Sequence, residues 1–93
     1  MANGEIKRNS PLYYTTFTGT AQDGEFDYDI SHLNFETVPN VLIFIGGYPY
    51  YLVINPDIDN STKTTIKLKI YYKNLTFNGL FRGFCIIGYN GYY

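Results

Sequence analysis

The sequence has few of the residues that cross-link a small protein or serve in catalysis. Its 93 residues include one cysteine, Cys85, one histidine, His32, and no tryptophan. A lone cysteine excludes a disulfide within the chain, and one Cys with one His cannot form a tetrahedral zinc site. A single core of this size is marginally stable. Oligomerisation is therefore the expected additional source of stability.

The chain also lacks a large excess of charge of either sign and a long apolar run. Seven basic and eight acidic residues give a net charge of -1, and the basic residues are scattered. This pattern disfavours a nucleic-acid partner, which needs a basic stripe. The apolar runs are far shorter than a membrane span, and the opening MANGEIKRNS lacks the apolar region of a signal peptide. We expect synthesis in the cytoplasm and no membrane insertion.

Catalytic and metal-binding patterns are weak. Cys85 and His32 lie in separate segments without a nucleophile motif, and Glu25, Asp27 and Asp29 fall on one face of one segment rather than across a cleft. The oxygen-rich segment Asp57–Ser61 lacks the Gly and distal Glu of a calcium loop and is more typical of a solvated turn. The sequence therefore predicts a protein that is not an enzyme and has no cofactor or metal.

What the sequence does have is strand periodicity. TTIKLKIYYK (64–73) alternates apolar and mostly charged residues, and EFDYDI (25–30) alternates apolar residues with acidic ones. VLIFI (41–45) is apolar throughout, which predicts a strand covered on both faces by a central position or by an interface. LYYTTFTG (12–19) is expected to form an edge strand.

These segments predict an all-β fold. About six short strands, separated by Gly, Pro, Asn and Asp, favour a small antiparallel β-sandwich. We expect one domain over residues 11–93. Residues 1–10 carry no pattern and are expected to form a mobile or partner-gripping arm.

Three motifs occur in the order of a known family. They are HLNFETVPNVLIFIGG (32–47), TTIKLKIYYKN (64–74) and GFCIIGYN (83–90). Together they resemble the H-type lectin-like domain of snails, slime moulds and many phage tail fibres over about residues 15 to 90. Phe84 stands where the family usually has Trp, and the Asp and Arg that hold sugar have no clear counterparts. The matching residues are Phe35, Pro39, Val41, Ile43, Thr65, Ile66, Leu68, Phe84, Ile86, Ile87 and Gly88.

The resemblance implies both an assembly and a ligand. It implies a six-stranded sandwich that forms a trimer, with carbohydrate bound near protomer boundaries. A phage or phage-like tail fibre would use such a module as a receptor-binding component of the particle. A purely structural assembly module, or a small phage inhibitor that docks on a host protein, are the alternatives.

Aromatic residues supply the candidate sites. Tyrosine accounts for 11 residues and offers a rigid apolar ring with a polar tip, which suits interfaces and glycan stacking. In adjacent pairs on a strand, one ring points in and the other out. Arg82 should project opposite to Phe81, as a ligand clamp or a surface residue. The predicted ligand residues are Tyr48, Tyr50, Arg82, Tyr89, Asn90 and Tyr92, and the predicted oligomer interface is Phe84, Ile86, Ile87 and Tyr93.

Overall fold

A computed structural model describes residues 12–89. In these residues, seven strands form two antiparallel sheets. Two 3-10 turns, Ser31–Leu33 and Ile58–Asn60, lie between strands. Residues 12–89 include no α-helix. None of their helical segments is long and apolar enough to span a membrane. The strands are β1 Leu12–Ala21, β2 Glu25–Asp29, β3 Val41–Tyr48, β4 Leu52–Asp57, β5 Thr65–Tyr72, β6 Leu75–Thr76 and β7 Gly79–Gly88.

The two sheets are built around β7 and β5 as their central strands. The first sheet has the order β1-β7-β3, and the second has the order β2-β5-β4 with the short β6 also paired to β5. A tight turn with positive φ at Asp23 and Gly24 joins β1 to β2 and passes the chain from one sheet to the other. The predicted all-β fold is confirmed, and its two sheets are consistent with a small sandwich.

The core lies between the inward faces of β7 and β5. Phe81, Cys85 and Ile87 from β7 are each at most 1% exposed, and Ile66, Leu68 and Ile70 from β5 are equally buried. The Phe81 ring meets Phe17 and Phe26 edge to face, with ring centroids 5.7 and 5.2 Å apart. The period-two pattern identified the buried face of β5, whereas the apolar run of β7 did not reveal which of its two faces is buried. The core residues discussed here belong to a cluster of Phe17, Ala21, Ile30, Phe35, Phe44, Leu52, Ile54, Ile66, Leu68, Ile70, Phe81, Cys85 and Ile87.

At the edge of the sandwich where β3 passes to β4, the two sheets come into close contact. A Cβ atom on Gly46 would lie 2.5 Å from the backbone oxygen of Leu52, so only glycine allows this approach. Tyr48 ends β3, and the turn that follows contains Pro49, which is joined to Tyr48 by a cis peptide, and Tyr50 and Tyr51. The close approach fixes the position of a tyrosine-rich tip at this end of the molecule.

The outer surface of the β2-β5-β4 sheet is charged. Register places Glu25 opposite Lys69 and Asp27 opposite Lys67. Their ion pairs measure 2.6 and 3.2 Å, and the hydrogen bond from Lys69 to Glu25 raises the pKa of the Lys69 ammonium. This sheet therefore presents a solvated, self-paired face, as the acidic alternation of β2 predicted.

Two sequence predictions about burial are corrected here. The VLIFI segment does not occupy a central position, because β3 is an edge strand of its sheet and β7 lies in the middle. Its outward residues Ile43 and Ile45 are 46% and 54% exposed. Ile87, predicted at an oligomer interface, is 1% exposed and belongs to the core. A continuous apolar run does not reveal which of its residues face outward, and the register decides it.

Candidate functional site

The outer face of the β1-β7-β3 sheet is apolar, in contrast to the charged face on the other side. The three strands together contain a single charged residue, Arg82. Outward side chains form two cross-strand rows, one of Tyr14, Ile86 and Ile43 and one of Thr16, Phe84 and Ile45. We refer to Tyr14, Ile43, Ile45, Phe84 and Ile86 as the apolar patch.

A β-bulge ends the regular pairing of β3 with β7. Gly46 lies opposite Gly83, and the next pair is Tyr48 with Arg82, so Gly47 is the additional residue. Without the bulge, strict alternation would have placed Tyr48 on the inner face. The bulge therefore brings Tyr48 beside Arg82, whose guanidinium carbon lies 5.6 Å from the centre of the Tyr48 ring.

These two residues line a shallow cleft at the end of the apolar patch. The cleft has a volume of about 470 Å³. The Tyr50 ring lies edge to face with Tyr48 at 6.2 Å and extends the aromatic surface. We call this depression the Tyr48 cleft. Its lining includes Thr16, Thr18, Ile45, Tyr48, Arg82 and Phe84. It combines an aromatic platform, a cation and two hydroxyls within one depression.

With this geometry in hand, the chain was compared with known proteins. It matches no protein-family model, no curated protein and no solved structure. The H-type lectin resemblance stays a prediction from the three motifs.

Tyr89 lies at the opposite end of β7 from Arg82. Tyr89 comes seven positions after Arg82, and along an extended strand this spacing corresponds to roughly 23 Å. The Tyr89 hydroxyl donates a hydrogen bond to the carbonyl of Thr37 at 3.1 Å, and its ring packs on Phe35 at 5.2 Å. Of the predicted ligand residues, the structure therefore brings together Tyr48, Tyr50 and Arg82 but not Tyr89.

Some of the remaining predicted residues belong to the apolar patch, and the others follow residue 89. Phe84 and Ile86 are half-buried and lie together on the outward face of β7. Asn90, Tyr92 and Tyr93 lie outside the described residues. The sequence interpretation did not name Ile43, Ile45 or Tyr14 among the candidate site residues. The signal that could have found them is their pairing in register with Phe84 and Ile86.

A second cavity, of about 350 Å³, opens where β1 passes over β2. Cys85, Tyr28 and His32 all line it, although the sequence placed the cysteine and histidine in unrelated segments. The Cys85 thiol donates to the Tyr28 hydroxyl at 3.7 Å, and burial raises the pKa of the thiol and of the phenol. No hydrogen bond joins His32 to Cys85 in the described part of the chain. The thiol is thus held protonated and lacks a base.

The oxygen-rich turn satisfies its own polar groups. Ser61 donates from its hydroxyl to the Asp57 carbonyl at 2.6 Å, and the Asn60 amide donates to the Asp57 carboxylate at 2.8 Å. Among residues 12–89, no three His, Cys, Asp or Glu side chains converge on a position that suits a metal ion. These bonds correspond to the local hydrogen bonding of a solvated turn.

Proposed function

We propose that this chain is a non-enzymatic β-sandwich module that assembles with copies of itself through the apolar patch and binds carbohydrate in the Tyr48 cleft. A component of a phage or phage-like tail fibre that contacts cell-surface glycan would have this design. The observation that carries the proposal is the outer face of the β1-β7-β3 sheet, where Arg82 is the single charged residue. Contiguous exposed apolar surface of this kind is typical of interaction sites.

The dimensions of the face support a copy of the chain as its occupant. Strands of up to ten residues form a three-stranded sheet. With usual strand spacings, the whole face, including the Tyr48 cleft, measures roughly 14 by 33 Å, so two copies that cover it completely would bury roughly 900 Å². That value is close to the lower limit of about 1,000 Å² for a specific interface. A trimer, which the family resemblance implies, would bury such a surface around a common axis.

A second copy of the chain suits this face because it offers an apolar surface of the same shape. Charged side chains against Ile43 and Ile45 would lose hydration without gaining a partner.

The chemistry of the cleft supports carbohydrate as the ligand. The exposed ring of Tyr48 gives a sugar an apolar face to stack on, while Thr16 and Thr18 place hydroxyls beside it. Arg82 adds hydrogen-bond donors that suit sugar oxygens. Because the cleft adjoins the patch, a ligand would lie near a protomer boundary.

The non-enzymatic part of the proposal rests on the cysteine cavity. A cysteine nucleophile needs a lowered pKa and an adjacent base. Burial instead raises the pKa of Cys85, and its hydrogen-bond partner is a phenol whose pKa is also raised. This environment is that of a structural thiol.

Light scattering coupled to size exclusion tests the assembly. We expect the wild-type chain to elute as an oligomer, and Ile43→Lys to elute as a folded monomer because a desolvated ammonium would oppose patch contact. Val53→Lys is the matched control, because Val53 is 49% exposed on the outer face of the other sheet. A monomeric wild type, or equal dissociation of both variants, would reject the patch as the interface.

A purely structural module is the second candidate, and the same patch favours it. It predicts that the oligomer forms and that no glycan on a broad array is retained. The carbohydrate proposal predicts glycan binding that Tyr48→Ala abolishes without changing the oligomer mass. Capture of one host protein at stoichiometric ratio, with no glycan bound, would favour the inhibitor alternative.

A further inference from the structure

The cation of the Tyr48 cleft has no carboxylate partner among residues 12–89. The ion pairs formed within residues 12–89 join Lys67 to Asp27 and Lys69 to Glu25, both on the opposite side of the sandwich. Arg82 takes part in neither and contacts the Tyr48 ring instead. The positive charge of the outer face therefore remains available to a ligand.

The surroundings of Arg82 would strengthen an interaction with an anion. Ile45 and Phe84 line the same cleft, and apolar neighbours lower the local dielectric once a ligand displaces water. The guanidinium presents a planar fork of donors that matches a carboxylate, and such charge-assisted pairs are roughly twice as strong as neutral hydrogen bonds. A neutral sugar would leave this capacity largely unused.

From this arrangement we infer that the Tyr48 cleft selects a sugar that carries a carboxylate, either a uronic acid or a sialic acid. The carboxylate pairs with Arg82, the sugar ring stacks on Tyr48, and its hydroxyls reach Thr16 and Thr18. A volume of about 470 Å³ falls within the range of about 300 to 1,000 Å³ usual for small-molecule sites. The inference rests on the proposed carbohydrate function and narrows it to one class of glycan.

The test compares ligands that differ in the carboxylate alone. Binding of the full chain is measured by biolayer interferometry to immobilised polygalacturonate and to the same polymer after complete methyl esterification. Polysialic acid distinguishes the second source of the carboxylate, dextran sulfate tests for any anion, and neutral dextran tests for any glycan. Each is measured at 50 and 500 mM NaCl, since salt screens charge pairs.

We expect at least one carboxylate polymer to bind at least tenfold more tightly than methyl-esterified polygalacturonate and dextran, and the preference to shrink at 500 mM NaCl. Arg82→Gln should weaken that binding roughly tenfold and Arg82→Lys less, because lysine keeps the charge but loses the fork. Lys63→Gln is the control, since it removes the same charge from an exposed turn before β5. Thermal melting confirms that each variant is folded.

The outcomes separate this inference from the function on which it rests. Equal binding to the esterified and free polymers, or no effect of Arg82→Gln, overturns the carboxylate inference while the carbohydrate function stands. Stronger binding to dextran sulfate than to either carboxylate polymer also overturns it. If none of these glycans binds, both the inference and the carbohydrate function are wrong.

Discussion

The thiol of Cys85 and the hydroxyl of Tyr28 are hydrogen-bonded at 3.7 Å between the two sheets of the sandwich. Cys85 lies on the central strand of one sheet, and Tyr28 lies on an edge strand of the other. Burial is the main reason that the pKa of each group is raised. Both groups are therefore protonated in the folded protein at neutral pH, and two measurements follow from this.

The first prediction concerns thiol reactivity. Because the thiolate is the reactive form and Cys85 is fully buried, native protein at pH 8 should react with DTNB far more slowly than protein in 6 M guanidinium chloride. Lys63→Cys in a Cys85→Ala background supplies a matched exposed thiol. If the two thiols react at similar rates in the folded state, Cys85 is more accessible than its burial indicates.

The second prediction concerns alkaline stability. The pKa of Cys85 is raised in the folded state, so as pH increases the unfolded chain loses this proton first, from about pH 8.5. The free energy of unfolding should be insensitive to this group below pH 8 and fall above it, by at most about 1.4 kcal/mol per pH unit.

Tyr28 should add the same effect above about pH 10, where an unfolded tyrosine ionises. Urea titrations at half-unit steps from pH 7 to 11 measure the slope. Cys85→Ala should flatten it between pH 8.5 and 10. An identical slope in that variant would contradict the assignment to Cys85.

The third prediction concerns the contact between β3 and β4. Gly46→Ala should destabilise the fold by about 1 to 3 kcal/mol, because the added Cβ meets the Leu52 backbone oxygen and forces the strands apart. Gly47→Ala is the control, since its Cβ would lie 3.5 Å from the nearest atom, an ordinary contact. Urea unfolding compares them, and equal losses would show that the crossing tolerates a side chain.

The fourth prediction concerns Tyr89. Its ring packs on Phe35 while its hydroxyl bonds to the Thr37 backbone, so Tyr89→Phe removes the bond and keeps the packing. We expect a loss of about 0.5 to 1.5 kcal/mol in the free energy of unfolding. Tyr71→Phe, on the outward face of β5, should change it less. A ligand-binding role instead predicts unchanged stability and weaker glycan binding for Tyr89→Phe.

Strand periodicity predicted much of this fold from local sequence. The alternation of Ile66, Leu68 and Ile70 with lysines identified both the strand and its buried face, because side chains alternate across a sheet. The strand pair Tyr13 and Tyr14 also behaved as expected: Tyr13 packs on buried Phe35 and Tyr14 is exposed. Tyr50 and Tyr51 did not, because they lie in a turn, where both are exposed.

Pairing between distant strands was beyond local sequence. Ile43 and Ile87 look alike in their apolar runs, yet one is 46% exposed and the other belongs to the core, because register with neighbouring strands decides the face. Tyr48 faces Arg82 only because a bulge adds Gly47 to its strand. The adjacent glycines were the visible signal, but a Gly pair does not specify on which side the next residue emerges.

Under the proposed assembly through the apolar patch, the difference between the two outer faces would limit how many copies can join. Lys67, Lys69 and their acidic partners give one side of the sandwich a saturated, hydrated surface, while the apolar patch occupies the other. If copies meet through the patch, each copy has one apolar contact surface. Assembly around a closed symmetry axis then buries that surface in every copy. Growth then stops at a small, closed particle with charged surfaces outward, and the module cannot propagate into a filament by this contact.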